Sequence, residues 1–453
     1  MHTLEQLRTG QLAGITRLDL SAGLTEFPSE IFDLADSLEI LNLSGNKLSA
    51  LPDDLPRLHK LRVLFCSDNQ FTTLPAVLGQ CPLLSMVGFK ANQIKELPAA
   101  ALSPALRWLI LTDNQIGALP PEIGQCTQMQ KLMLAGNQLT ELPETLANCT
   151  KLELLRIAAN QLTELPAWLL SLPRLSWLAY AGNPFGEATE AAVVARHPIA
   201  AIPWSQLHLE YQLGEGASGV ISRAAWQRSD EEDEPIEEVA VKIFKGAVTS
   251  DGLPHSEMAA CISAGVHPNL IAVKGRIVGH PADAEGLVLE LIDSAFGNLA
   301  GPPSLASCTR DVYAPDTAFS LQAVLRMALG IASAAAHLHT QGIMHGDLYA
   351  HNILNTKAGD CLLGDFGAAC FFDLGDQATA RTLQQLEVRA FACLLEELLA
   401  HSAEAATHPI TSAALHDLQR RCAQEGVGER PLFAEIQQEL EQLQVLQEVA
   451  GGA

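Results

Sequence analysis

Seven asparagines, at positions 46, 69, 92, 114, 137, 160 and 183, stand 23, 23, 22, 23, 23 and 23 residues apart. A chain with this period folds as stacked copies of one small unit, because a unit of that size cannot bury its own apolar face alone. Each asparagine closes an L-x-x-L-x-L-x-x-N frame, as in Leu38-Leu41-Leu43-Asn46, Leu61-Leu64-Cys66-Asn69, Leu106-Leu109-Leu111-Asn114 and Leu152-Leu155-Ile157-Asn160. A degenerate frame around Leu18 and Leu20, with Gly23 in the asparagine position, precedes them. Leu-Pro pairs beginning at 51, 74, 97, 119, 142 and 165 run in phase, after Phe27-Pro28. The frame predicts one short parallel strand per copy. Its asparagine amide is expected to turn inward and satisfy backbone groups that the bend leaves open. Proline stops the strand and sets the return segment.

These residues resemble leucine-rich repeats: about eight copies over residues 15–187, after an N-terminal cap at 1–14 and before a closing segment and linker at 188–204. The resemblance implies an α/β horseshoe solenoid. Its concave face would carry the strand positions between the leucines: Ile40, Val63, Phe65, Met86, Trp108, Ile110, Met133, Leu154 and Trp177. A contiguous exposed apolar stripe of this kind binds protein. The partner is either another protein or the second half of this chain.

Composition narrows the classes. With 48% hydrophobic and 18% charged residues among 453, the chain can bury sizeable cores and is not intrinsically disordered. A net charge of −24 repels a phosphate backbone, which argues against nucleic acid. The ten cysteines show no CxxC pairing and suit reduced thiols. The N-terminus lacks the basic region and apolar run of a signal peptide, and no stretch is expected to span a bilayer. The expected compartment is the cytoplasm, with no membrane partner.

The second half opens with Leu213-Gly214-Glu215-Gly216-Ala217-Ser218-Gly219-Val220. A G-x-G-x-x-G alone fits a dinucleotide-binding turn, a loop over ATP, or neither. The residues downstream separate these readings. Residues 220–226 contain no helix start, and a second strand, Val239-Ala240-Val241-Lys242-Ile243-Phe244, arrives soon after. A glycine-rich turn between strands followed by V-A-V-K resembles the nucleotide lobe of a protein kinase. The remaining motifs stand in family order: Glu257 in a helix expected over 255–265, a hinge strand Leu287-Val288-Leu289-Glu290-Leu291-Ile292, and a helix over 321–339. After them come His345-Gly346-Asp347-Leu348-Tyr349-Ala350-His351-Asn352 and Asp365-Phe366-Gly367.

The resemblance covers 205–445, leaving 446–453 as a tail, and implies an α+β bilobal protein-kinase fold that uses ATP and Mg²⁺. Carried over position by position, Lys242 would hold the α- and β-phosphates and pair with Glu257. Asp347 would accept the substrate hydroxyl proton, and Asn352 and Asp365 would ligate Mg²⁺. Gly214, Gly216, Ser218 and Gly219 would cradle phosphates. Val220, Ala240 and Leu354 would sandwich adenine, with backbone groups at Glu290 and Ile292 at its edge. The whole resembles leucine-rich-repeat protein kinases of the bacterial cytoplasmic type, which implies transfer to a protein hydroxyl, Ser/Thr by prior.

The pattern also departs from the family. Gly346 replaces the arginine that normally grips a phosphorylated activation loop, and Tyr349 stands where many Ser/Thr kinases have lysine. No A-P-E lies between Asp365 and the central helix, expected from Leu386 to Leu399 with Glu387 in place of aspartate. Arg430-Pro431 resembles the closing motif with its arginine deprived of the usual carboxylate. Thr379 and Thr382 are the only hydroxyls between Gly367 and Glu387, so loop phosphorylation would fall there. Two other readings therefore stay open: a nucleotide-binding scaffold without efficient transfer, and a small-molecule kinase. His337, His339, His345 and His351 cluster in sequence but lack a metal-ligand pattern. The acidic run 230–238 reads as a solvated loop.

Overall fold

A computed structural model describes residues 2–216, 218–228, 235–246, 248–249, 251–403 and 408–451. The chain divides into two compact units, Met1–Leu175 with Asn183–Phe185, and Ser176–Gly182 with Gly186–Ala453.

In the first unit, a short helix, Leu4–Arg8, starts at a capping box in which Thr3 and Gln6 each accept the other's backbone N–H. Seven three-residue strands follow: Arg17–Asp19, Ile40–Asn42, Val63–Phe65, Met86–Gly88, Trp108–Ile110, Lys131–Met133 and Leu154–Arg156. Each pairs in parallel with the next. Their central residues, Leu18, Leu41, Leu64, Val87, Leu109, Leu132 and Leu155, are buried and make the spine of the core. The return path is a turn of 3-10 helix, entered through Pro28, Pro75, Pro98, Pro120 or Pro143.

The asparagines act as the period predicts. Asn137 Oδ1 accepts from Ile116 N–H at 3.0 Å, while Nδ2 donates to Leu111 O and Leu134 O, both at 2.9 Å. One amide thus serves backbone groups of two adjacent coils. Asn46, Asn69, Asn92, Asn114 and Asn160 repeat the arrangement. Asn137→Ala strands the buried Ile116 N–H, while Leu111 O and Leu134 O each keep a bond from a neighbouring asparagine, and is expected to destabilise the chain by about 1–3 kcal/mol. A urea titration would report it as a lower midpoint at an unchanged slope. An unshifted midpoint would mean water replaces the amide.

The expected apolar stripe needs correction. Val63, Met86, Leu154 and Trp177 are buried, and none of the nine predicted residues is exposed. Register explains much of this. Val63, Met86 and Trp108 sit side by side across neighbouring strands, and Phe65 packs edge-on against Trp108 at 6.4 Å. Charge interrupts the stripe as well: Lys131 pairs with Trp108 and lays its ammonium 4.7 Å from that ring, and Arg156 follows Met133.

The second unit carries a six-stranded sheet in the order Leu207–Glu215, Gly219–Trp226, Glu237–Phe244, Gly286–Glu290, Val273–Val278 and Ala201–Pro203. The last strand lies in the stretch read as linker. It pairs in parallel with Val273–Val278, and Ile202 joins Leu207, Val239, Val241, Ile277 and Val288 in the lobe's core. Helix Pro254–Ser263 crosses over between the strands. The larger lobe is built on helices Leu321–Thr340, Gln377–Ala400, Pro409–Cys422 and Phe433–Gly451.

Contrary to expectation, Leu321–Thr340 is long and apolar enough to cross a bilayer, but 67% of its most apolar window is buried within the fold. The helix expected from Leu386 starts at Gln377, capped by Asp376, whose carboxylate accepts from Thr379 N–H. Thr379 and Thr382 therefore lie on its first turns and not in a loop. The run 230–234 lies outside the described residues, while Glu237 and Glu238 begin a strand and pair with Arg228 and Arg223. Among the described residues none of the ten cysteines is joined in a disulfide.

Candidate functional site

A cleft opens in the second unit, lined by glycine-turn residues, the Lys242 strand, the Glu257 helix and Asp365. The glycine turn joins the first two strands of the sheet. Gly216 N–H donates to Gly219 O at 2.9 Å. A Cβ at Gly219 would lie 2.5 Å from Ile243 O, so that position must be glycine, while Gly214 and Gly216 face open space. Gly216, Ser218 and Gly219 line the cleft, as does Ile221. Ala217 lies outside the described residues. Alternation along the strand puts Ile221 opposite Lys242 and Val220 opposite Ile243. The apolar wall is therefore Ile221, one residue beyond the expected Val220.

Lys242 and Ala240 occupy one face of their strand, and Ala240 is buried. Lys242 Nζ bonds Glu257 Oε1 across the cleft floor, both side chains nearly enclosed. Burial works against the Lys242 ammonium, but Glu257 and Asp365 outweigh it and hold its pKa above the ordinary value. Leu270, Ile271, Val273, Leu287 and Leu289 complete the apolar wall, together with Cys261. Glu290 N–H is already donated to Ala272 O, so the carbonyl is its remaining backbone group for a nucleobase edge. Ile292 follows just beyond the strand end, and Leu354 sits in the small sheet opposite Leu362.

The catalytic-loop residues form a hydrogen-bonded frame. Asn352 Nδ2 donates to Asp347 Oδ2 at 2.8 Å and to Asp347 O at 2.9 Å. Both contacts use N–H, which leaves the Asn352 amide oxygen as its ligand atom. Together with the Asp365 carboxylate it makes a hard-oxygen set that fits Mg²⁺. His345 Nε2 lies 2.9 Å from Gly364 O and therefore carries the proton; its Nδ1 accepts from Asp347 N–H at 3.3 Å. Asp365 takes φ +54° in the left-handed region and accepts from Gly367 N–H. Gly346 N–H donates to Glu387 Oε1 at 2.7 Å, which ties the central helix to the residue before Asp347.

His351 is held at 2.8 Å by Asp311, a residue the sequence does not single out because it lies in irregular chain. Burial opposes the His351 cation, but Asp311, Asp347 and Asp365 together raise its pKa. The other three clustered histidines have unrelated partners: Ala264 O, Glu387 and Gly364 O. Arg430 is held by Gln424 O and Gln385 O, and burial lowers its pKa to about 10.

After Gly367, strand Cys370–Phe371 pairs with Ile343–Met344 and the chain enters helix Gln377–Ala400 directly. Trp177, expected on the concave face, belongs to this unit: its ring stacks on Tyr349 at 4.1 Å and 8°.

Comparison with known proteins agrees with this geometry. The protein tyrosine and serine/threonine kinase family matches residues 207–394, and leucine rich repeat families match 37–58 and 104–162. A probable serine/threonine-protein kinase of Dictyostelium discoideum is 30% identical over 182 residues, covering 39% of this chain and 10% of that protein. Cyclin-dependent kinase 11B of Rattus norvegicus is 28% identical over 160 residues, covering 35% and 33%. Cyclin-dependent kinase 10 of Homo sapiens is 26% identical over 210 residues, covering 42% and 53%. The chain thus matches between a tenth and about half of the length of these relatives. It is a leucine-rich-repeat chain followed by a protein kinase domain.

Proposed function

We propose that this chain transfers the γ-phosphoryl group of ATP to a serine or threonine hydroxyl of a protein. The observation that carries the reading is the closed Lys242–Glu257 pair in a cleft that also holds Asp365. Lys242 would bind the α- and β-phosphates, and Asp365 and Asn352 would hold Mg²⁺, which neutralises phosphate charge when bound. Asp347, fixed by Asn352, would orient the hydroxyl and accept its proton. The Ser/Thr choice draws on the relative named a probable serine/threonine-protein kinase. The repeats would recognise a protein partner, or this chain's own second half, through Ile40, Phe65, Trp108, Ile110 and Met133, the predicted face residues that stay half-buried. A cytoplasmic setting suits ten cysteines that form no disulfide among the described residues.

Direct entry into helix Gln377–Ala400 favours a second reading, a kinase for small hydroxyl compounds, since a peptide would lack its usual platform. Purified chain with γ-labelled ATP and Mg²⁺ tests both, against basic proteins, peptides and small hydroxyl compounds. Label on serine or threonine supports the proposal. Label confined to small compounds selects the second reading, and nucleotide binding without transfer leaves only a scaffold.

A further inference from the structure

We infer that Trp177 and Tyr180 are positioning residues for Asp347, supplying from Ser176–Gly182 the support that the shortened segment after Gly367 does not. The inference rests on the proposed phosphoryl transfer. In the family, an arginine before the catalytic aspartate grips a long activation segment, and here both are missing. Gly346 cannot be replaced by arginine: its φ is +74°, and a Cβ would stand 2.4 Å from Ala368 O and 2.7 Å from Leu178 O. Backbone of the 176–182 segment thus occupies the space into which that side chain would start. The segment then makes four further contacts, two on the loop and two on the strand after Gly367. Trp177 stacks flat on Tyr349, two residues past Asp347, and its Nε1–H donates to Leu348 O at 3.1 Å. Tyr180 Oη donates to Phe371 O at 3.1 Å, on the strand after Gly367. Tyr180 N–H points at Cys370 Sγ at 3.0 Å.

These contacts bracket Asp347 from both sides of the loop. They do not reach the Lys242–Glu257 pair or the glycine turn, which hold the other end of the site. The support is covalently part of the chain and buried, so it needs no phosphorylated hydroxyl to form. Thr379 and Thr382, inside a helix, are not required as switches.

The test uses full-length protein carrying Trp177→Ala, Trp177→Phe or Tyr180→Phe. Trp177→Ala is expected to lower kcat about tenfold, with KM for ATP changed less than about twofold, because a stack and a hydrogen bond to the loop are lost. Trp177→Phe, which keeps a ring on Tyr349, should recover most of the rate. Tyr180→Phe should lower kcat a few-fold. Trp177→Leu fills the space without a ring and replaces the alanine variant should that fail to fold. Hydrogen exchange supplies an independent readout at the amides of Tyr349 and Asn352, bonded to Asp347 O and Tyr349 O. Both should exchange faster in Trp177→Leu and near normally in Trp177→Phe.

Unaltered kcat in Trp177→Ala or Trp177→Leu would overturn the inference, as would KM and kcat shifting together, or a phenylalanine variant as slow as the others. If the unmodified chain transfers no phosphoryl group, the functional proposal fails instead. The exchange rates then still decide whether Trp177 holds the loop.

Discussion

Asp347→Asn is expected to lower kcat by about 10²- to 10⁴-fold while changing nucleotide affinity by less than about twofold. The size comes from what the carboxylate can do and an amide cannot. Asn352 Nδ2 presents an N–H to Asp347 Oδ2 at 2.8 Å, and the amide oxygen of the substituted side chain could accept that same bond. The loop frame, including the His345 bond to the residue's own N–H, can therefore stay as it is. What would disappear, on the proposed reading, is the anion that accepts a proton from an incoming hydroxyl. On the proposed reading nucleotide affinity would be governed elsewhere, by Lys242, Glu257 and the glycine turn, which line the cleft. Lys242→Met should show the reverse pattern: weakened nucleotide binding, because the phosphates lose an enclosed cation and Glu257 is left buried without its ammonium. Fluorescent nucleotide titration beside a labelled-ATP rate assay separates the two. Equal loss of binding and rate in Asp347→Asn would mean that its carboxylate serves binding and not proton transfer.

The repeats are legible in the sequence because their physics is local. Each asparagine bonds backbone within its own coil and the one before, so a period of 22–23 residues carries the whole instruction. The candidate site is legible for a different reason: the proposed chemistry would need particular side chains in order, and Lys242, Glu257, Asp347, Asn352 and Asp365 stand in that order. Apolar positions carry no such signature. Val220 and Ile221 are interchangeable by composition, and only the strand's phase against Lys242 selects Ile221. Asp311 leaves no trace in the sequence, since its partner His351 is 40 residues away and nothing periodic connects them.

The central helix begins nine residues before the expected Leu386 because Asp376 caps it, its carboxylate meeting the Thr379 N–H three residues on. Gly346 and Tyr349 are visible in the sequence as departures from the family. Their cause is not, because Leu178 and Trp177 lie in a segment that the repeat pattern assigns elsewhere.

Glu387→Gln is expected to cost about 2–4 kcal/mol of folding stability at neutral pH and to slow transfer as well. Glu387 is buried where two helices meet the catalytic loop: Oε1 accepts from Gly346 N–H and Oε2 from His339 Nε2–H, each at 2.7 Å. Glutamine can keep the first bond. Its amide group then faces the imidazole donor to donor. Turning His339 to its other tautomer removes that clash but puts an N–H on Nδ1, which has no partner among the described residues. Either arrangement leaves a buried polar group unmet, next to the residue that precedes Asp347.

The carboxylate also gives the cost a pH signature. Burial pushes Glu387 upward, yet His339, His345 and the Gly346 N–H outweigh it and hold its pKa below the ordinary value. A carboxyl bound more weakly to its proton in the folded state stabilises the fold above its unfolded pKa, about 4.3, and loses that contribution as pH falls through the lower folded value. Urea midpoints of the two proteins should therefore differ fully at pH 7 and draw together in acid. A gap that stays constant with pH would mean the glutamine acts through shape alone, and that the charge at this junction contributes nothing to holding the loop.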